Sequence, residues 1–302
     1  MEEMTTGLCP NCGHALQIPA ELESFSCMYC SERLTKRQLL TQAAAAQRSD
    51  EDCAASYDRA VARLGWCVKN FRGYQKKILR DAFFEAFETY ETGCAPVIQE
   101  LNNGITPERQ TELLDQAAEA MLDELSADWE KKTDMDDEKI ILAIFFVPMV
   151  RKLQLPVSEE FVTLLQKKWV ERYPKSPFYL GDYDSISGGF RKKFLGLCFI
   201  TTAVCQELGK PDNCAELTAF RAFRDGYLAS QPDGEALIHE YYNIAPGIVT
   251  CINTCSDRHT TYARIREEYL APCYEDLLAG RNARCKTRYV QMVRDLEQEY
   301  LS

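Results

Sequence analysis

Two closely spaced pairs of cysteines near the N-terminus constrain the fold of this chain more than any other feature. Cys9 and Cys12 form the first CxxC pair, and Cys27 and Cys30 form the second after fourteen intervening residues. Two thiolates separated by two residues can grip one ion from a tight turn, and a second such turn completes a tetrahedron. Gly13 follows the first pair, where a knuckle turn requires the backbone to fold back with its amides pointing at sulfur. The spacing predicts a closed structural site that holds one Zn²⁺ through four thiolates, without an open catalytic position.

The segment from Cys9 to Leu34 closely resembles zinc-ribbon modules. The resemblance implies two knuckles on short β-hairpins, and it covers about a tenth of the chain. Leu16 and Leu34 each follow the second cysteine of a pair by four residues, so we expect them to seal a small core. His14 can compete as a ligand, but we expect its side chain to point to solvent.

Beyond this module, apolar residues recur at helical spacing from Glu32 nearly to the end of the sequence. A chain of 302 residues can bury a hydrophobic core large enough to be stable without disulfide bonds. Its composition, with 27% charged and 11% aromatic residues, is typical of a folded globular protein. We therefore predict a mainly α fold, either a helical bundle or stacked helical hairpins, with a small N-terminal β-containing zinc ribbon. Prolines and glycines concentrated between 174 and 189 indicate a hinge. The predicted organisation is a zinc ribbon at 1–34, an N-terminal helical region at 35–174, a hinge or linker at 175–190, and a C-terminal helical domain at 191–302.

Several helices have features specific enough to be compared with a structure. Pro107 suits a first helical turn, and the helix that it begins should bury an apolar stripe and turn its acids outward. Residues 136–153 are apolar nearly all round and should form a central helix that bends at Pro148. Gly280 suits a helix C-terminus. The apolar stripe of the acidic helix is expected to contain Leu114, Ala118, Met121 and Leu125.

The N-terminal residues contain no basic segment followed by an apolar one, so we expect no signal peptide. The longest apolar run, residues 140–150, is interrupted by Pro148, whereas a membrane-spanning helix needs about 20 apolar residues. We therefore expect a cytoplasmic protein without a membrane partner. In a reducing compartment its 14 cysteines would serve as metal ligands, buried apolar groups or reactive thiols.

The acidity of the chain is concentrated in one stretch. The formal net charge is −11, and residues 108–138 alone carry twelve acidic and three basic side chains. The simplest interpretation is a solvated helix face, and the functional alternative is an acidic surface that docks another protein. The sequence lacks the basic stripe that a general nucleic-acid binder needs, so we do not expect nucleic acid as a partner.

A second group of motifs lies in the C-terminal half. Residues 198–205 read Cys-Phe-Ile-Thr-Thr-Ala-Val-Cys, residues 223–225 read Phe-Arg-Asp, and a Tyr-Tyr pair at 241–242 is followed by a proline. This ordered set resembles the bacterial CFI-box C-terminal domain over about 50 residues. Thr201 and Cys205 depart from the box pattern, and the chain continues well beyond the box. The family has no established activity, so the resemblance implies no reaction.

The structural interpretation of the box is a tight helical hairpin. If residues 194–208 are helical, Cys198 shares one face with the threonines and with Cys205. An ion pair between Arg221 and Asp225 would tie the hairpin together, or Arg224 would bind a tyrosine or a backbone carbonyl. Cys198 would then be packed as a small apolar group. The box residues for which we expect a structural or functional role are Cys198, Thr202, Cys205, Arg221, Arg224, Asp225 and Tyr241.

Two functional alternatives remain open for the same cysteines. In the first, Cys198 is a nucleophile with His239 as its base, and Arg224 lowers the pKa of the thiol. In the second, several cysteines form a further metal or redox cluster. Cys251 and Cys255 are four residues apart and can present two thiolates to one ion, and His259 continues the same helix face. The candidates for that cluster are Cys198, Cys205, Cys214, Cys251 and Cys255.

The sequence contains no HExxH, GxSxG or Ser/His/Asp arrangement. It has three histidines, so few residues could serve as a histidine acid or base in catalysis. We therefore favour a bacterial, non-enzymatic zinc-binding scaffold or protein-interaction module whose partner is another protein. The first alternative is a cysteine-dependent enzyme or redox sensor that uses Cys198, and the second is a nucleic-acid-associated regulator. The expected cofactor is one structural Zn²⁺, held by Cys9, Cys12, Cys27 and Cys30.

Overall fold

Two small antiparallel β-hairpins begin the chain in the computed structural model, which describes residues 4–11, 14–45, 49–191, 198–254 and 257–302. The first hairpin pairs β1 with β2, and the second pairs β3 with β4. Along β2 the side chains alternate between exposed and buried, as expected for a strand with one face on a core. The strands are β1 (Met4–Leu8), β2 (Ala15–Pro19), β3 (Ser24–Ser26) and β4 (Arg33–Thr35).

The two hairpins share a small core with the helix α1 (Lys36–Ala45). Leu16 and Leu34 are 4% and 2% exposed and lie in this core, and Leu39 of α1 is also fully buried there. Gly7 approaches α1 so closely that an added Cβ would lie 2.5 Å from the carbonyl oxygen of Leu39. The predicted boundary at residue 34 therefore falls before a helix that belongs to the same unit. We call residues 4–45 the N-terminal ribbon.

The rest of the described chain is almost entirely helical, which confirms the predicted mainly α fold. Gly280, at φ 69°, ends the fourteenth helix as the sequence predicts. In the part of the chain that the structure describes, every helix is too short or too polar to cross a bilayer. The remaining α-helices are α2 (Asp50–Leu64), α3 (Trp66–Lys69), α4 (Phe83–Gly104), α5 (Gln110–Ser126), α6 (Lys132–Ile141), α7 (Val147–Leu153), α8 (Ser158–Arg172), α9 (Tyr183–Arg191), α10 (Phe199–Glu207), α11 (Ala215–Ala222), α12 (Gly234–Thr254), α13 (Arg258–Ile265), α14 (Ala271–Leu278) and α15 (Asn282–Leu301).

The acidic helix α5 packs as its apolar spacing predicts, after a 3₁₀ turn that begins at Pro107. Its buried stripe, in which every side chain is 0% exposed, contains Leu114, Ala118, Met121 and Leu125. The stripe lies on the core side of the helix, so the acids are left on the other faces.

Basic residues of α8 neutralise part of the acidic face of α5. Lys168 lies 2.9 Å from both Asp115 and Glu119, and Arg172 lies 2.7 Å from Asp123. These pairs join two neighbouring helices across a partly exposed seam, where each pair contributes little to stability. Part of the acidic face of α5 is therefore paired within the protein.

One hydrophobic core extends through the helices on both sides of the predicted hinge. The rings of Phe83 in α4 and Phe190 in α9 are stacked with their centroids 4.3 Å apart. Phe178 and Phe190 are each 1% exposed. Aromatic rings stacked in this way fix the distance between the helices that carry them.

The segment 175–190, for which the sequence predicts a hinge or linker, contains the greater part of α9. The carboxylate of Asp182 accepts a hydrogen bond from the Ser185 amide at 2.8 Å, which satisfies an amide of the first turn. Glycines at 188 and 189 lower the helix propensity, but the cap and the buried phenylalanines outweigh that cost. Composition alone does not reveal either contribution.

Three helical stretches widen into π-turns, at Leu142–Phe146, Phe223–Tyr227 and Arg266–Leu270. Pro148 follows the first of these turns, and a proline both lacks an amide and clashes with the carbonyl four residues earlier. The structure thus has a π-turn directly before Pro148, and the predicted bend of the helix stays a prediction. The second π-turn carries the Phe-Arg-Asp motif and contains no proline.

Candidate metal centre and cysteine box

Three cysteines of the N-terminal ribbon converge on one point. The Sγ atoms of Cys9, Cys27 and Cys30 all lie within 4.8 Å of one another, and those of Cys9 and Cys30 are 3.8 Å apart. This cluster can bind a metal ion. Cys12, the fourth predicted ligand, lies outside the described residues, so its position remains a prediction.

Tight turns between the paired strands bring these cysteines together. The amide of Cys9 donates to the His14 carbonyl at 2.9 Å, and the amide of Cys27 donates to the Glu32 carbonyl at 2.8 Å. The amide of Tyr29 points at the Sγ of Cys27 across 3.5 Å. The backbone of the second turn therefore has the conformation that a metal knuckle needs.

The cluster is enclosed, whereas the tip of the second knuckle is open. Cys9 and Cys27 are each 2% exposed, but Met28 and Tyr29, between Cys27 and Cys30, are 75% and 56% exposed. The exposed His14 ring stacks on Tyr29 with centroids 4.2 Å apart. The arrangement places the ligands inside and two large apolar side chains outside.

The second predicted site centres on Cys198, the residue that precedes α10. Its side chain is buried, and Nη1 of Arg224 donates to its Sγ at 3.5 Å. Arg224 is itself 7% exposed and grips the carboxylate of Asp225 through Nε and Nη2 at 2.6 and 2.8 Å. Burial raises the pKa of the Cys198 thiol, and the opposing effect of Arg224 is smaller. Cys198 is therefore not an activated thiolate in this conformation.

Hydroxyl groups from two other helices hold the start of α10. The amide of Ile200 donates to the hydroxyl oxygen of Tyr241 at 3.0 Å. The Tyr289 hydroxyl lies 3.4 Å from that of Tyr241 and 3.2 Å from the Thr201 hydroxyl. Burial raises the pKa of Tyr241 well above its ordinary value, so the group stays a neutral hydroxyl. Sequence reasoning missed Tyr289, because no spacing rule connects it with a box 88 residues away.

The predicted pair between Arg221 and Asp225 is wrong. Arg221 instead donates to Asp212, at 2.7 Å to the carboxylate and 2.8 Å to the carbonyl. The π-turn at Phe223–Tyr227 changes the register after Arg221, so residues four apart no longer face each other. Asp225 forms its ion pair with Arg224 instead.

A narrow crevice of about 60 Å³ adjoins Cys198 and Arg224. Pockets for drug-sized ligands are several times larger, at about 300–1,000 Å³. Its walls are mainly apolar and include Phe220, Phe223, Leu237, Tyr289 and Val293. His239, the predicted base, is exposed and is not one of the lining residues in the described chain. The geometry thus brings Cys198 together with Arg224 but not with His239.

The five cysteines proposed as a further cluster do not meet within the described residues. Cys205 lies beside Cys214, with the two Sγ atoms 3.8 Å apart, whereas Cys198 contacts Arg224. Cys251 is fully buried and its Sγ lies 3.8 Å from the Tyr300 carbonyl.

Two further predictions concern the neighbourhood of these cysteines. Cys255 lies outside the described residues. His259 pairs with Glu207. The hydroxyl of Thr202 is buried and has no hydrogen-bond partner within the described chain, so this box residue has no assigned contact.

The fold and the cysteine cluster of the N-terminal ribbon together define a mainly helical protein whose ribbon cysteines can bind a metal ion. No protein-family model matches this chain, and no curated protein or solved structure does. The function therefore has to be argued from the two groups of cysteines.

Proposed function

We propose that this chain is a non-enzymatic, zinc-binding protein-interaction module. In this proposal the N-terminal ribbon holds one structural Zn²⁺ through Cys9, Cys12, Cys27 and Cys30, and presents the knuckle tip to another protein. The observation that carries the proposal is the convergence of three thiols, two of them buried and that of Cys30 partly buried, beside an exposed apolar tip.

The donors and their spacing support zinc as the proposed metal. In a tetrahedral site with Zn–S bonds of about 2.3 Å, the sulfurs are separated by about 3.8 Å. The Sγ atoms of Cys9 and Cys30 stand 3.8 Å apart, which supports such a site. Zinc accepts four thiolates in this geometry without redox chemistry, and a set of four protein ligands leaves no position for a substrate.

The distribution of exposed apolar side chains supports an interaction surface on the ribbon. Single exposed apolar residues are normal on any protein surface. Here several of the largest concentrate in one short stretch, and aromatic and methionine side chains are enriched at interfaces. The exposed large apolar side chains within residues 4–40 are Met4, Leu22, Met28, Tyr29 and Leu40.

A catalytic role for Cys198 has less support. The thiol is buried, its pKa is raised, and the buried Arg224 guanidinium beside it forms its ion pair with the carboxylate of Asp225. The resemblance to CFI-box domains implies no reaction either. We infer that the box has a structural role, because its buried start is hydrogen-bonded to tyrosines of two other C-terminal helices.

Site-specific photocrosslinking in cells tests the interaction. A benzophenone amino acid at position 28 should give one discrete protein adduct, which Cys9→Ser abolishes because the ribbon loses its metal. The same amino acid at position 278 is the matched control, since Leu278 is 71% exposed but lies outside the ribbon. Equal crosslinking from both positions, or an adduct unaffected by Cys9→Ser, would overturn the proposal, and an adduct with RNA or DNA would favour the nucleic-acid alternative.

A further inference from the structure

A turn after α10 brings two cysteines and a carboxylate together at a second place in the chain. The Sγ atoms of Cys205 and Cys214 and a carboxylate oxygen of Glu216 all lie within 4.8 Å of one another. We propose that Cys205, Cys214 and Glu216 form a second site for a divalent thiophilic metal ion such as Zn²⁺. This inference is independent of the ribbon and of its partner.

The backbone fixes this arrangement before any ion binds. Gly209, at φ 67°, donates to the Gln206 carbonyl at 2.9 Å, and Lys210 donates to the Cys205 carbonyl at 2.9 Å. These two bonds form the αL helix end in which glycine is favoured, and they turn the chain back toward Cys205. The Cys214 amide then donates a hydrogen bond to the Pro211 carbonyl at 3.0 Å.

The second turn ends directly at α11, which places the other two donors. Cys214 precedes the first residue of α11, and Glu216 lies in the first turn of that helix. The two donors therefore come from one helix start, and Cys205 comes from the last turns of α10. A site supplied by two helix ends and a capped turn is held by rigid elements.

The distances suit a metal better than a disulfide. The Sγ atoms of Cys205 and Cys214 are 3.8 Å apart, equal to the separation in the ribbon cluster. Two thiolates on one tetrahedral ion lie about 3.8 Å apart, whereas a disulfide requires about 2.05 Å. Within the described residues, only these cysteines and those of the ribbon gather three metal-binding side chains.

The charges also favour a divalent cation. Two thiolates and one carboxylate carry three negative charges, and Lys210 supplies one positive charge at 2.5 and 2.6 Å from the oxygens of Glu216. A divalent ion would bring the group to neutrality. Carboxylates that bind metals are commonly held by an outer hydrogen bond, so one oxygen of Glu216 can bind the ion while Lys210 keeps the other.

The fourth position would be open. A cavity of about 20 Å³ is lined by Cys205, Lys210 and Glu216, and it has room for one water molecule. Three protein ligands with a free position contrast with the closed site proposed for the ribbon. Cys214 is half-buried, so an ion has a route from solvent. We therefore expect binding that is weaker and more readily reversed by a chelator than binding at the ribbon.

Cobalt titration of the reduced, zinc-loaded full-length protein tests the site. After a mild chelator has removed loosely held metal, one added equivalent of Co²⁺ should give a thiolate-to-cobalt charge-transfer band. Cys214→Ser should abolish the band, and Glu216→Gln should weaken cobalt binding at least about tenfold. Cys53→Ser is the matched control, because Cys53 is a free, buried cysteine on α2, and it should leave the titration unchanged.

Two results would overturn the proposal. The first is the absence of a charge-transfer band in a protein whose ribbon still retains its metal. The second is a Cys205–Cys214 disulfide in protein that has been purified anaerobically, because it would identify the pair as a redox dithiol. Cys9→Ser separates the two sites, since it should remove the ribbon metal and leave the cobalt band of the second site intact.

Discussion

The hydroxyl oxygen of Tyr241 accepts a hydrogen bond from the backbone amide of Ile200, 41 residues earlier in the chain, at 3.0 Å. The first amides of a helix have no acceptor within the helix itself, and this one is buried. Tyr241 on α12 therefore satisfies a backbone group at the start of α10. This bond connects the cysteine box with the Tyr-Tyr motif and gives the two motifs a shared structural role.

Removing that hydroxyl should destabilise the protein. Tyr241→Phe leaves a buried amide without an acceptor, which costs about 1–3 kcal/mol. We expect the free energy of unfolding in urea to fall by that amount. Tyr179→Phe is the control, because Tyr179 is 49% exposed, and it should change the stability by less than about 0.5 kcal/mol. Equal effects of the two substitutions would show that the Tyr241 bond contributes nothing.

All three donating nitrogens of the Arg224 guanidinium should be needed for full stability of the protein. Arg224→Lys keeps the positive charge but cannot grip Asp225 and reach Cys198 at the same time. We expect a loss of about 1.5–3 kcal/mol in unfolding free energy. Arg221→Lys affects a pair with the exposed Asp212 and should cost less than about 1 kcal/mol. If the order of the two effects is reversed, Arg224 is not the residue that ties the box together.

Cys198 should react slowly with alkylating reagents. Because burial raises its pKa, the thiolate fraction in the folded state is lower than in the unfolded chain at the same pH. Iodoacetamide labelling followed by peptide mass spectrometry should modify Cys198 more slowly in native protein than in urea, with a pH midpoint displaced upward. A raised pKa also means that this group's contribution to stability is present below the unfolded pKa and is lost as the pH rises above it. Rapid labelling of native Cys198 near neutral pH would instead favour the enzyme alternative.

One glycine tests whether α9 is helical, and a second tests how closely α12 packs. At Gly188 an added Cβ meets nothing within 4 Å, so Gly188→Ala should stabilise the protein by about 0.5–1 kcal/mol if the segment is helical. At Gly247 in α12 the added Cβ would lie 1.8 Å from the Ile78 carbonyl oxygen, so Gly247→Ala should destabilise by at least about 1–3 kcal/mol. Thermal or urea unfolding measures both. No gain from Gly188→Ala would favour the hinge interpretation of 175–190.

Local patterns account for what the sequence predicts well. The spacing of four cysteines is a property of two short turns, and three of them lie together in the ribbon. The stripe on α5 follows from a helical period of 3.6, which brings Leu114, Ala118 and Met121 to one face. The αL helix end at Gly280 depends on one residue without a side chain.

The incorrect or missing predictions all depend on information outside the local sequence. The π-turn at Phe223–Tyr227 shifts the register of Arg221, and no proline marks it. Tyr289 reaches the box from α15, and its contact depends on the packing of the whole C-terminal half. Cys214 meets Cys205 only because of how the intervening turn closes. Spacing rules describe one helix or one turn at a time, so they do not detect such contacts.

The metal content of the ribbon is the central claim, and elemental analysis tests it most directly. Purified protein that has been dialysed against a mild chelator should retain one Zn²⁺ per chain, and Cys9→Ser should lose it. Cys53→Ser, which removes a buried cysteine elsewhere, should retain it. The opposite result, no zinc in the wild-type protein or the same zinc content in Cys9→Ser, would contradict the account of the ribbon and the function proposed for it.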